Sequence, residues 1–526
     1  MRRRSLYGLM VLASLMLVVS GMGLGEEHIL RVGIPGDVET IDPDLASYPI
    51  ANMVRLNVHE QWFKYEYYDT GDGFNRCNVK NVEGALFESW ELADDRMSMV
   101  VHLRQGVIFP RSGNEMTADD LLYWRDRALY NGVAGNWVLN KWTIADMEKL
   151  DDYTVRFIFS EPALDVYFMI SRGGASTILD SEEAMEHATD DDPYAGEWIA
   201  QNGAGGCGEY YIESWERGTR MVLAANPYYW AGKPYFDKVI LEVVPSSASR
   251  ALLLQEGSLD MASGLSTDEL ASLSASPDVT VLNIPSRSRA ILNMNCSIFP
   301  FANPALRKAI ACLIPYQQIL DGVFGGNGHV PTGPLPVLGK GHNPDIRYPD
   351  YDEAAAKELL AKAGFPDGFE FAVTIRTGVP TAKTIAIFLK DTFKKVGIDM
   401  EINEVPAAVF AEQEAKGTAQ VTLWGDGFLS YVDDEWYTMR GYVSGDSTNR
   451  SKYSNPAIDW LYETLRVTYD EAERLDLITL YQQIIAFDIP NLPLAEHSLQ
   501  YPMRSDLKGF TFMEDSLLWF HSLYRD

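Results

Sequence analysis

The chain has 526 residues, 46% hydrophobic and 22% charged. These are globular values, and the length exceeds what one hydrophobic core usually serves, so two or three lobes are expected. Its 74 Asp and Glu against 44 Lys and Arg give a formal charge of −30, which argues against nucleic acid or an anionic membrane face as partner, because phosphates are gripped by Lys and Arg; the acidity reads as a means of keeping an exported protein soluble.

Taken in chain order, Arg2, Arg3 and Arg4 form a cationic start, residues 6–19 an apolar run, and Gly21, Gly23 and Gly25 a small-residue stretch before Glu26. That order predicts a secretory signal peptide cleaved near residue 25, which leaves a mature charge of about −33 because residues 1–25 contain no acid. The apolar run is shorter than the ~20 residues of a membrane span; an N-terminal membrane anchor is the plain alternative. No cysteine lies near the cleavage region to carry a lipid, so the mature protein is expected to be free in the periplasm. Between about 61 and 193, strand-like pieces at 98–103 and 154–159 flank one helix, opened by the capping box Thr117-Ala-Asp-Asp120 and running to about Leu129. This reads as a separate mixed α/β subdomain.

Further along, residues 239–244 (VILEVV) form a β-rich run, Ser246 caps a helix through Gln255, Gly257 ends it, and 259–262 extends again. Asp352 caps a helix through Ala363 with Gly364 as its stop. Residues 369–376 (FEFAVTIR) alternate like a strand. Thr381 then caps a helix with Ile385, Phe388, Leu389, Phe393 and Val396 at helical spacing, closed by Gly397. A strand at 398–405, a helix at 407–416 and a strand at 420–424 follow. Such βαβ units predict a parallel sheet with right-handed crossovers, hence an α/β fold.

Several motifs dissolve on inspection. Gly203-Ala-Gly205-Gly-Cys-Gly208 fits the dinucleotide spacing, yet a helix-like stretch precedes it and a strand-like one follows, the reverse of what phosphate binding needs. It reads as a glycine-rich turn, and no cofactor is expected. The four cysteines, Cys77, Cys207, Cys296 and Cys312, lack metal-ligand spacing; one or two disulfides are open to them in an oxidising compartment. The eight histidines form no HxxxH or HExxH cluster, so no metal site is predicted. No GxSxG, Walker or HExxH signature supports a secreted hydrolase, the rival from another class, although carboxylates are plentiful enough for an accidental acid pair.

In open α/β sheets, ligands bind beyond the carboxyl ends of the strands. Arg376 ends one predicted strand, and Asp426 lies just past another, among Trp424, Phe428 and Tyr431. An acid and a base at one rim among aromatic rings suit a zwitterion with an apolar body, the Asp pairing an ammonium and the Arg a carboxylate. A surface Arg and a turn Asp with only local hydrogen bonds are the bland alternative.

From Glu83 onward the chain resembles the extracellular solute-binding proteins of family 5, the peptide- and nickel-type components of ABC transporters. The resemblance rests on Gly84-Ala-Leu-Phe-Glu-Ser-Trp90, Leu103-Arg-Gln-Gly-Val107, Met116-Thr-Ala-Asp-Asp120, Gly206-Cys-Gly-Glu-Tyr210, Asn226-Pro-Tyr-Tyr-Trp-Ala-Gly-Lys-Pro234 and Glu256-Gly-Ser-Leu-Asp260, in the family's order. It implies a two-lobed periplasmic clamshell (type II, cluster C-like): lobe I from 26–61, 194–287 and 494–526, an insert at 62–193, and lobe II at 288–493. Hinge crossings would fall near 287–292 and 490–493. It also implies a non-enzymatic, monomeric protein that closes on short peptides or amino-acid-like solutes and serves an inner-membrane permease and ATPase, with oligosaccharide and then metal chelate as rival ligands. Asp426 and Trp424 fall where peptide-binding members hold the ligand's amino terminus, and Arg376 where dipeptide-binding members meet its carboxylate. The chain departs from the pattern in the closer spacing of Trp424 and Asp426, in Glu209 where the family has Pro, and in residues 69–82, which look inserted.

Overall fold

The structure is a computed structural model that describes residues 27–45, 49–131, 139, 143–163, 177–203, 205–425, 438–513 and 517–526. The signal-peptide reading of residues 1–25 lies outside them. Two large sheets organise the chain. The first runs in the order Val279–Ile284, Leu499–Arg504, Met261–Ala262, Ile29–Ile34, Lys238–Val243, Arg220–Ala225 and Tyr210–Glu216. Ile29–Ile34 lies parallel to both of its neighbours, and its apolar residues Leu30, Val32 and Ile34 are buried in the core. Ser246 caps the helix Ser247–Gln255 through its hydroxyl, as the sequence predicts.

The second sheet runs Gly328–His329, Asn491–His497, Arg289–Met294, Val421–Trp424, Glu370–Arg376 and Asp399–Val405. Glu370–Arg376 is parallel to Asp399–Val405 and to Val421–Trp424, so the βαβ expectation holds there. Two helix starts differ in quality. Asp352 caps Glu353–Lys362 by accepting from Ala354 and Ala355 N–H. The helix expected to be capped by Thr381 instead begins at Pro380, with Val379 as its N-cap: proline fixes a helical φ and lacks an N–H that the first turn would leave orphaned.

The chain passes between the sheets at residues 285–288 and again at Ser498. The second crossing falls later than the expected 490–493, because Asn491–His497 pairs along its length with Arg289–Met294. Pro493 is tolerated inside that strand because the register slips by one residue between Ala290 and Ile291, opposite it.

An antiparallel sheet of Phe87–Leu92, Ser98–Leu103, Thr154–Phe159 and Ile144–Asp151 packs with the helix Ala118–Asn131 around Trp62, Phe87, Trp124 and Phe157. The stretch 69–82 forms the turn and most of the second strand of the hairpin Phe63–Asp69 and Asn75–Gly84. That hairpin pairs in parallel with Thr511–Phe512 of the tail. Arg127 ties this body to the first lobe. Its buried guanidinium bonds Asp42 at 2.5 Å and also Asp44, while Arg55 donates to the Pro43 carbonyl at 2.8 Å. Gly206 and Gly208 pass so close to the end of the helix Pro49–Val58 that a Cβ would stand 2.2 Å and 2.8 Å from the Val58 carbonyl oxygen. The glycine run is a packing device. All four cysteines are free, so neither disulfide left open by the sequence forms.

Glu209, which stands where the family pattern has proline, is fully buried and accepts from the Trp519 indole N–H. Glu60 accepts from Tyr229 OH at 2.5 Å and Trp230 Nε1 at 2.9 Å. Burial first, and then the charge of Glu60, push the Glu209 carboxyl well above its ordinary 4.5. A raised folded-state pKa stabilises at low pH, and that contribution is lost as pH rises toward the folded value. Glu209→Gln should therefore gain stability relative to the parent as pH rises above 4.5, by up to about 1.4 kcal/mol per pH unit. Urea midpoints at pH 5 and pH 8 would show this; parallel shifts of the two proteins would count against it.

Candidate ligand-binding cleft

The parallel strands of the second sheet bring Arg376 and Trp424 together, each the last residue of its strand. The Arg376 guanidinium lies 4.6 Å from the indole centroid, and that of Arg450 lies 4.2 Å from the same ring. Phe410 meets the indole edge-on at 5.5 Å. The carboxylate that organises this group is Glu414, one helical turn after Phe410 on Ala407–Lys416. It is buried, accepts from Trp424 Nε1 at 2.8 Å and Thr422 Oγ1 at 3.0 Å, and pairs Arg450 at 2.5 Å.

Gly425 then lets the chain leave Trp424 across the start of the helix Pro380–Lys394; a Cβ there would meet Ala382 N at 2.2 Å. The next candidates, Asp426, Phe428 and Tyr431, lie outside the described residues. Sequence reading missed Glu414 and Arg450. The one signal for Glu414 was its i,i+4 spacing from Phe410; Arg450 had none, since it arrives from a distant loop.

On the first sheet, Arg250 stitches the strand ends together. It donates to the carbonyls of Val244 at 2.5 Å, Pro245 at 3.1 Å, Ser263 at 2.8 Å and Gly264 at 2.7 Å. The two halves touch beside the crossings, where Asn283 Nδ2 donates to Asn327 Oδ1 at 3.0 Å. They touch again through the inserted body: Arg466 pairs Glu161 at 2.5 Å, Tyr469 OH donates to the Pro162 carbonyl at 3.2 Å, and Arg96 lies 4.8 Å over the Tyr469 ring.

Among the described residues, no group of three His, Cys, Asp or Glu side chains could hold a metal ion, and no helix is long and apolar enough to cross a membrane. The rim sets two guanidinium groups over one indole, and Glu414 holds that indole from behind. Glu414→Ala should cost about 2–4 kcal/mol, since it strands Arg450 and removes two charge-assisted hydrogen bonds. Arg376→Ala should cost under about 1 kcal/mol. Urea denaturation of both variants checks the ordering, and the reverse order would show that Arg376, not Glu414, is the structural member.

The family model described as bacterial extracellular solute-binding proteins, family 5 Middle, matches residues 81–449. The chain is 28% identical over 489 residues to the "Probable D,D-dipeptide-binding periplasmic protein DdpA" of Escherichia coli K12, covering 92% of each. Its fold is similar to that of the ABC transporter-associated periplasmic binding protein DppA of Helicobacter pylori, solved with the peptide STSA, at TM-score 0.79 and 24% identity over 95% of this chain and 98% of that one. It is likewise similar to a dipeptide-binding protein of Pseudoalteromonas sp. SM9913 solved with Met-Leu, at TM-score 0.80 and 18% identity over 95% and 100%. The architecture is thus the two-lobed α/β fold of the type II periplasmic binding proteins.

Proposed function

Because the chain belongs to family 5 of the bacterial extracellular solute-binding proteins, we propose that it captures short peptides or amino-acid-like solutes by closing two lobes on them, and hands them to the permease and ATPase of an ABC importer. No bond is broken in this cycle. Ligand contacts made to both lobes bias an equilibrium between open and closed forms. The protein acts as a monomer in the periplasm after removal of residues 1–25.

The observation that carries the reading is the cationic, aromatic rim at Arg376 and Trp424, supported by relatives whose names carry dipeptide binding. Arg376 forks onto the solute's carboxylate. Asp426 pairs its ammonium, while Trp424, Phe428 and Tyr431 cover its apolar part. Native mass spectrometry of protein purified from its own envelope should release a peptide or an amino-acid derivative; a sugar in its place would move the function to oligosaccharide capture. Asp426→Ala should weaken binding of that solute by about 2–5 kcal/mol, and a loss below about 0.5 kcal/mol would remove the role.

Closure is also served by the contact of Arg466 with Glu161, far in sequence from the crossings. An exposed pair of this kind is worth about 0.2–1 kcal/mol. Arg466→Ala should therefore speed ligand release by about 1.4- to 5-fold, and the exchanged pair Glu161→Arg with Arg466→Glu should restore it. Unchanged release by stopped-flow fluorescence in all three proteins would place closure elsewhere.

A further inference from the structure

Arg289 opens the strand Arg289–Met294 of the second sheet. On one side the ladder sets Ile291 opposite Trp424, so Arg289 stands two residues beyond it on the same edge of the sheet. On the other side Arg289 is directly opposite Glu496. Directly opposed residues on neighbouring strands put their side chains on one face, about 4.5–5.5 Å apart at Cβ. Both are sealed from solvent, at 2% and 0% exposure.

One short loop pins each charge. Arg289 donates to the Pro334 carbonyl at 2.6 Å, and Val337 N–H donates to Glu496 Oε2 at 2.8 Å. Yet Arg289 Nε and Glu496 Oε1 are both buried with no hydrogen-bond partner among the described residues. Tyr348 OH, also buried, has none either, and the Arg289 charge acts on its ring hydroxyl. Buried polar atoms are nearly always satisfied, because an orphan forfeits its hydration. Here an unused donor and an unused acceptor belong to directly opposed residues at the edge that carries Arg376 and Trp424.

We propose that Arg289 and Glu496 form a second polar subsite, which takes the primary carboxamide of a side chain on the bound solute. A carboxamide presents a carbonyl and an N–H₂ on one edge, the first for Arg289 Nε–H and the second for Glu496 Oε1. A carboxylate would set its charge against Glu496, and an ammonium would set its own against Arg289. A thioether would leave both atoms unmet. This subsite rests on the peptide-capture reading above.

The test is titration calorimetry with Ala-Gln, Ala-Glu and Ala-Met, whose second side chains are close in size. The parent protein should bind Ala-Gln about tenfold or more tighter than the other two, because a site built to hydrogen-bond a group rejects analogues that lack it. Arg289→Lys keeps the positive charge but has no Nε–H, and should bring Ala-Gln to within about threefold of Ala-Met with Ala-Met affinity unchanged. Equal binding of the three by the parent protein, the result a bridging water would give, overturns the subsite and leaves peptide capture standing; this arm needs no variant to fold. A preference for Ala-Gln that survives Arg289→Lys undiminished also overturns it. If none of the three binds, peptide capture itself fails and the subsite falls with it.

Discussion

The architecture turns on the place where His497 is bound to the other crossing. His497 N–H donates to the Ser288 carbonyl at 3.0 Å, Ser286 Oγ donates to the His497 carbonyl at 2.8 Å, and the Phe324 ring stacks on the imidazole at 4.7 Å. Both passages of chain between the large sheets are fastened here, side by side. Each lobe can be a rigid layered unit with its own core because the connections between them are short and few. Every cross-lobe distance, including that between Glu161 and Arg466, is set by how this junction is held.

The rim on the second sheet shows how a cation is kept useful in an acidic protein. A lone surface arginine would be dissolved in the field of the surrounding carboxylates. Arg376 instead stacks on an indole, and the indole is fixed by a buried carboxylate whose own charge is answered by Arg450. Stacking on the indole fixes the plane of the guanidinium fork. Glu414 accepts from Trp424, Thr422 and Arg450 and contributes by holding the stack in register.

Much of this was legible in residue order. Caps at Ser246 and Asp352, the alternating run that ends in Arg376, and the reversed context of the glycine motif are local facts, set by hydrogen bonds within a few residues. Arg376 and Trp424 were legible together because both end parallel neighbouring strands of one sheet, which a βαβ rule places at one rim. Glu414, Arg450, Arg289 and Glu496 were not. Their partners come from ladder register and from loops distant in sequence, and neither hydrophobic period nor motif spacing encodes those. The misplaced crossing has the same cause. Pro493 stays inside the ladder because a slip in register absorbs it, and that slip is set by the opposing strand.

The strands Asn491–His497 and Leu499–Arg504 are consecutive, separated by Ser498, and each lies inside its sheet, not at an edge. Without the first, Gly328–His329 loses its only ladder neighbour among the described residues; without the second, Val279–Ile284 does. A chain emerging from its amino terminus therefore cannot finish either lobe until nearly the last residue has appeared, and its earliest strand waits for partners more than two hundred positions away. Long-range closure of this kind is slow. For the exported chain proposed above, that delay would keep it slack until nearly its whole length is across, and one late stretch would then zip both halves at once.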